Sequence, residues 1–274
     1  MVEGPEASFL AYYISKNFKG KTLKDVLIRR GRYKHHGPPA NFKEFRKCLP
    51  LRLLDVYKKG KMILMLFENN WFLIAKMGMV GWFYRPSDKP IYAAEPNIIF
   101  EFDIGPLYFS DFRNFGTLTF TQDPYIVYSE INKIAPDILS NEATFKIVYD
   151  KIHEAKTDET SKNETIENAL MKQDFIISGV GNIIKSETLY DAAISPKRTV
   201  GSLTDNEWKR LYLAVRHFSQ KVFNLLKQNK RHNFEEYFKL HRVYKKELDP
   251  DGHKVKSFTS SDGRTTFWVP EVQN

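Results

Sequence analysis

The sequence predicts an α+β chain of two domains. A β-sandwich with an N-terminal helix comes first, then a helical domain that ends in a hairpin, and three observations carry the expectation. Between residues 22 and 120, short apolar runs alternate with turn signals such as Glu68-Asn69-Asn70 and Gly105-Pro106, the signature of strands. After a joint marked by Asp123-Pro124 and Ala135-Pro136, the apolar period lengthens to that of helices. In this second half, residues 173–196 read QDFIISGVGNIIKSETLYDAAISP, a helical segment that breaks at Ser178-Gly179-Val180-Gly181 and restarts from Asn182. The expected divisions are 1–121 for the sandwich, 122–140 for the joint, 141–238 for the helical domain and 239–274 for the terminal hairpin.

Composition supports two folded modules. The chain has 274 residues, 42% of them hydrophobic, enough for two cores of ordinary size and too many for a disordered chain. Lys and Arg number 42 against 33 Asp and Glu, a net charge of +9 that favours a polyanion over an acidic protein partner. Cys48 is the one cysteine, which rules out an intramolecular disulfide and a cysteine-rich zinc site. The N-terminus lacks the charged start and long apolar core of a secretory signal, and no apolar run reaches membrane-spanning length. An intracellular protein is expected, with nucleus and cytoplasm not distinguished.

In chain order, the first helix runs from Gly4 to Phe18, with Pro5 at its start, Leu10, Tyr13, Ile14 and Phe18 on one face and Gly20 past its end. Strands are expected at 23–30, 53–57, 62–67, 71–77, 98–104 and 107–111. His35-His36 lies in a proline-rich loop, better read as solvated than as a metal pair in the absence of further ligands. Lys58-Lys59-Gly60-Lys61 is a basic turn, and Met79 lies between Gly78 and Gly81 in a loop that would let an apolar side chain project.

Helices are expected at 141–155 and from Thr165, separated by a mobile surface loop at 156–164. In the glycine turn, Asn182 can cap the second helix and leave N–H groups at its positive end, a phosphate grip. The same turn fits an ordinary helical hairpin or a helix-hairpin-helix DNA module. Thr204-Asp205-Asn206-Glu207 is a capping box for a long helix packed through Trp208, Leu211, Tyr212, Val215, Phe218, Val222 and Leu225. Basic residues at 227–232 close that helix, and residues 241–269 read as short strands around Asp249-Pro250-Asp251-Gly252 and Asp262-Gly263.

The stretch 173–196 as a whole closely resembles the helix-two-turn-helix of the Fpg/Nei DNA glycosylases: Gln, then G-V-G-N-I, then Glu, Leu and a final Pro. Further blocks follow in that family's order: VEGPE at 2–6, Gly60-Lys61 after two lysines, MGMVG at 77–81, DFRNFG at 111–116 and GRTTFWVPEVQ at 263–273. The resemblance implies a bifunctional DNA glycosylase and AP lyase of base excision repair that removes oxidised bases. The rival reading is a catalytically inactive DNA-binding module of the same fold.

By the resemblance, Met1 is removed and the amine of Val2 attacks sugar C1′, forming a Schiff base that loses the 3′ phosphate by β-elimination. An unperturbed α-amine is about 10 to 20% neutral at pH 7, a lysine amine about 0.04%, so a chain end suits the task. Val2 stands where most of the family has proline and marks a Nei-like branch. Glu3 is implied as general acid and base, and Glu6 as a supporting carboxylate, although the helix dipole favours an acid there anyway. The resemblance places the family's second catalytic lysine at Lys61, bound to phosphate and able to move protons during elimination. Met79, Arg113 and Phe115 would fill the void left by an extruded nucleotide. Asn114 departs from a second arginine of many relatives.

Asn182 belongs to the phosphate grip, and Glu187 is either a carboxylate facing the nucleophile or an exposed helix acid. Arg264 would grip the phosphate near the damage. Relatives usually fix the finger with cysteines on zinc, whereas here Val269 and Val272 fall where the last two would be. A zincless finger packed through Phe258, Phe267 and Trp268 is therefore expected. No metal or organic cofactor is needed, and the expected partner is damaged DNA, single- or double-stranded, bound across a basic cleft by a monomer without a membrane. Hydantoins, formamidopyrimidines and oxidised pyrimidines are all allowed as lesions.

Overall fold

The computed structural model describes residues 2–90, 93–228 and 235–274. Met1 and residues 229–234, on which the removal of the initiator and most of the basic helix end were expected, lie outside them. The chain divides into two compact units after Lys133: Glu6–Lys133 forms the body of the first, while Ile134–Leu226 and the C-terminal tail form the second together with Glu3–Pro5.

The first unit holds the helix Gly4–Phe18 from Glu6 onward and eight antiparallel strands: β1 Thr22–Ile28, β2 Leu51–Lys59, β3 Met62–Phe67, β4 Phe72–Lys76, β5 Trp82–Tyr84, β6 Ile98–Phe102, β7 Gly105–Ser110 and β8 Thr117–Thr121. Their order is β5-β7-β6-β1-β2-β3-β4-β8. The two four-stranded halves are hydrogen-bonded through a short ladder in which Thr22 faces Arg52 and Leu23 faces Leu51. β3 is an unbroken apolar run, MILMLF, because it is buried along nearly its whole length. Phe45 stacks on Phe120 at 4.4 Å and meets Phe67 and Trp71 edge-on, an aromatic centre for this core.

β5 and β8 were not expected, and neither were the helices Arg32–His35, Phe42–Lys47 and Pro124–Asn132. The last occupies the stretch read as a joint, started by Asp123, whose carboxylate accepts the Tyr125 amide at 2.8 Å.

The second unit contains helices Phe145–Thr157, Glu159–Lys162, Ile166–Met171, Asn182–Asp191 and, as far as Leu226, Asp205–Gln228, then the hairpin of β9 Lys256–Thr259 and β10 Thr265–Trp268. Two expectations are corrected. The loop at 156–164 carries a short helix capped by Asp158, which accepts the Ser161 amide at 2.7 Å. The helix before the glycine turn ends at Met171, and Gln173 takes over: its Oε1 accepts the Gly179 amide and its Nε2 donates to the Val180 carbonyl, both at 2.9 Å. The capping box is present, with the Thr204 amide on Glu207 at 2.7 Å and the Glu207 amide on Thr204 Oγ1 at 3.3 Å. Leu226, not Leu225, completes the buried stripe of the long helix. Among the described residues no helix is long and apolar enough to cross a membrane.

The Arg198 guanidinium beside Glu207 holds that carboxyl down at about 2. A folded-state value below the unfolded one means that the stabilisation is complete above the ordinary carboxylate range and disappears as pH falls toward about 2. Glu207→Gln should therefore cost about 1 kcal/mol in thermal melts at pH 7. The gap from wild type should close progressively below the ordinary carboxylate range.

Candidate active site and nucleic-acid interface

In the first unit, two loops carry the residues expected to enter DNA. The turn after β4 is closed by the Gly81 amide on the Met77 carbonyl at 2.9 Å and carries Met79, half-buried. Gly78 has φ +59°, and a Cβ there would lie 2.7 Å from the Gly116 nitrogen and 2.8 Å from the Phe115 carbonyl carbon. The Met79 turn and the Arg113–Phe115 loop thus press together backbone to backbone, which only glycine allows.

The second loop is built on Asp111, 2% exposed, whose Oδ2 accepts the Gly116 amide at 2.5 Å and whose own amide donates to Asn97 Oδ1 at 2.7 Å. Asn114 adopts φ 59° and accepts the Arg32 amide at 3.0 Å. Its place in the family pattern is thus taken by a residue that tolerates the left-handed backbone and braces the loop. The bracing leaves Phe112 and Phe115 more than half exposed, with the Arg113 guanidinium 5.0 Å from the Phe115 ring centre.

The Val2 nitrogen donates to the Met79 carbonyl at 2.9 Å, and the Val2 side chain is buried. Glu6 is buried in the first turn of its helix. Lys61 stands in the two-residue turn between β2 and β3, beside the Lys59–Met62 pair that closes it.

In the second unit, Glu3 is fully buried. Its Oε1 accepts the Ile183 amide at 2.9 Å and its Oε2 the Ile184 amide at 3.0 Å, while the Gly4 amide donates to the Gly179 carbonyl at 2.7 Å. A helix start offers orphan amides and a positive dipole end, and a carboxylate satisfies both. Two expectations change. Asn182 is the first residue of its helix and not its cap, and its Nδ2 donates to the Thr265 carbonyl at 2.9 Å. The amides of Ile183 and Ile184, expected to grip a phosphate, are taken by the protein's own carboxylate. The glycines serve that contact, since a Cβ on Gly181 would lie 2.4 Å from the Glu3 carboxyl carbon.

Glu187 is also placed differently from either reading. It is fully buried and accepts the amides of Arg242 at 2.8 Å, Val243 at 3.1 Å and Tyr244 at 2.7 Å, so it anchors the tail. Burial pushes its carboxyl up, against the pull of those amides.

Arg264 lies at the exposed end of the β9–β10 hairpin, its Nη1 on Asp262 Oδ2 at 2.5 Å and its amide on Asp262 Oδ1 at 3.0 Å. Beneath it is a group that sequence reasoning missed: the Lys185 Nζ donates to Glu167 Oε2 at 3.2 Å and to Thr266 Oγ1 at 2.7 Å, and Ser260 Oγ donates to the same Glu167 oxygen. No local pattern marks Lys185, because all of Asn182 through Tyr190 is buried and the helix has no solvent face.

The finger does not fit a thiolate zinc site. Val269 is fully buried in an apolar cluster with Tyr190 and Val243, packed by Val255 and Val272. This corrects the packing expected of Phe258 and Trp268, whose rings instead flank the Lys197 ammonium at 5.4 and 5.3 Å. Phe267 meets Tyr244 edge-on at 5.2 Å. Among the described residues, one group, Asp249, Asp251 and His253, brings possible ligand atoms within 4.8 Å of one another, with Asp251 and His253 exposed.

Residues 1–118 match the family model of the formamidopyrimidine-DNA glycosylase N-terminal domain, and residues 134–230 match that of the formamidopyrimidine-DNA glycosylase H2TH domain. The formamidopyrimidine-DNA glycosylase of Ureaplasma parvum serovar 3 is 24% identical over 286 residues, covering all of both chains. Two crystal structures of Lactococcus lactis Fpg each cover 99% of both chains at 20% identity. One is bound non-covalently to DNA containing an AP site (TM-score 0.81), the other to DNA containing an oxidised pyrimidine (TM-score 0.82). At that identity the likeness is one of fold.

Removing the Glu3 carboxylate strips the partner from two helix-start amides. Glu3→Ala is expected to destabilise the second unit by about 2 kcal/mol, read by thermal unfolding. Gly181→Ala, which displaces the same carboxylate, should lower the melting temperature comparably, and wild-type melting of both variants would contradict the clamp.

Proposed function

From the premise that this chain belongs to the Fpg/Nei family and is a DNA glycosylase of base excision repair, we propose that it is bifunctional, excising oxidised bases and cleaving the strand with its N-terminal amine. The observation that carries this reading is the anchoring of two consecutive residues. The Val2 nitrogen is held on the Met79 carbonyl and the Glu3 carboxylate on the Ile183 and Ile184 amides. A nucleophile and an acid must both be immobile for their geometry to lower a barrier.

In the proposed reaction, trimming of Met1 turns the Val2 nitrogen into a primary amine. Its lone pair forms a bond to C1′ as the bond from C1′ to the damaged base breaks, and the base leaves as an anion that takes a proton from water. The Glu3 carboxylate takes a proton from the ammonium so formed and passes it to the ring oxygen, the bond from C1′ to that oxygen breaks, and the nitrogen's lone pair turns the opened sugar into a cationic imine. Loss of a C2′ proton then expels the 3′ phosphate, with Lys61 on a phosphate and able to carry protons. The cationic imine of a primary amine, unlike that of proline, can lose its N–H proton, and the neutral imine must be reprotonated before it draws electrons, so strand scission lags behind base release. Met79, Arg113 and Phe115 take the place of the extruded nucleotide, Arg264 holds the phosphate beside it, and damaged DNA in single or double strands is the substrate.

Borohydride reduction of trimmed protein on an oligonucleotide with an abasic site should yield a covalent adduct, and protein that intact mass shows to retain Met1 should yield none. A correctly trimmed sample without adduct would leave a DNA-binding module and no lyase. Single-turnover rates should show base release ahead of scission, and equal rates would refute the primary-amine argument.

A further inference from the structure

The buried polar group under the hairpin has no part in the proposed chemistry, and stability does not explain it. Lys185 is 0% and Glu167 3% exposed. Taking both charges out of water costs several kcal/mol per ion, and apolar residues of similar volume are often as good or better. Burial pushes the Lys185 ammonium below its ordinary range despite the neighbouring carboxylate. What such a pair supplies, and an apolar plug does not, is direction.

The directions converge on the turn that carries Arg264. Ser260 and Thr266 flank that turn, are 5% and 0% exposed, and place their hydroxyls 2.7 Å apart. The Thr266 hydroxyl also reaches Glu167 Oε2 at 3.0 Å. Between them the Ser260 amide donates to the Arg264 carbonyl at 2.7 Å, and the Thr265 carbonyl accepts Asn182 Nδ2 at 2.9 Å. Asn182 and Lys185 belong to the helix whose first amides hold Glu3. In a strand, a slip of one residue would turn Thr266 outward, so the cluster accepts only one register of the hairpin.

We infer that Lys185 is a positioning residue for Arg264. Through Glu167, Ser260 and Thr266, its ammonium fixes the arginine's turn against the start of the helix Asn182–Asp191, so that the guanidinium meets a DNA phosphate at a set distance from the Glu3 carboxylate. This rests on the reading of Arg264 as a phosphate contact.

The test is a double-mutant cycle on the affinity for duplex DNA containing a tetrahydrofuran abasic analogue. Lys185→Met and Arg264→Ala are each expected to weaken binding about tenfold, one charge-assisted hydrogen bond, and the double variant no more than either alone. Lys185→Arg should recover most of the loss. Thr266→Val, which removes the link but keeps the ion pair, should show the same non-additivity and stands in if Lys185→Met fails to fold. Losses that multiply, or a Lys185→Met protein that binds like wild type, would overturn the role of Lys185 while leaving the glycosylase reading intact. A wild-type protein that does not bind the analogue, or an Arg264→Ala variant with unchanged affinity, would overturn the reading beneath it.

Discussion

The structure depends on a carboxylate at a helix start. Glu3 gives its oxygens to the amides of Ile183 and Ile184, and this contact explains features far apart in sequence. The third residue is held by two amide hydrogen bonds in a fully buried setting. The glycine turn at 178–181 is shaped for that end of the chain: the Gly4 amide reaches the Gly179 carbonyl, and a side chain on Gly181 would displace the carboxylate. A helix terminus fit to hold a phosphate has been given to the protein's own acid, and on the proposed reaction that acid is the one that opens the sugar.

Much of this was legible in the sequence, and the limits of legibility have physical causes. The helix Gly4–Phe18 and strand β3 have the ends that proline, glycine and apolar period predict, and Thr204 with Glu207 marks the long helix where it starts. Strands β5 and β8 escaped because their order comes from ladder partners distant in sequence, Ser110, Phe109 and Tyr108 for the one and β4 for the other. The roles of Glu187 and Lys185 escaped for a related reason. A helix buried on every side has no polar stripe, so nothing local separates an inward acid from an exposed one. Their partners lie 55 to 57 residues away for Glu187, and 18 and 81 away for Lys185. Asn182 was assigned to the cap because a cap residue and a first helical residue differ by one position, within the ordinary uncertainty of helix ends.

A hairpin without cysteines needs fixings other than a thiolate zinc site, and this one divides them between its ends. At the base, Val243, Val255, Val269, Val272 and Tyr190 supply the hydrophobic gain, which is strong but sets no register. Asp249 organises the adjoining turn by accepting the Tyr190 hydroxyl at 3.0 Å, the Asp251 amide at 3.0 Å and the His253 amide at 2.8 Å. Those bonds gather Asp249, Asp251 and His253 in one turn. At the tip, where an apolar core would be too small to hold a hairpin, hydroxyls on a buried ion pair supply the direction that burial lacks.

The first unit shows the opposite case, two apolar side chains held out of its core. An exposed Phe forgoes about 1.5–3 kcal/mol of burial, so Phe112 and Phe115 are disfavoured unless a partner repays that loss or the loop is given no alternative. The loop has none: Asp111 holds the Gly116 amide, Asn97 holds Asp111, Asn114 braces Arg32, and the Met79 turn packs against it through Gly78. Rigid exposure is what a wedge into stacked bases requires, since side chains ordered only on insertion would lose part of the gain to entropy. Because the Val2 nitrogen donates to the Met79 carbonyl, the group proposed to fill the gap and the group proposed to attack the sugar are tied to one turn. On the proposed reaction, then, the wedge cannot reach its place in the duplex without bringing the amine with it.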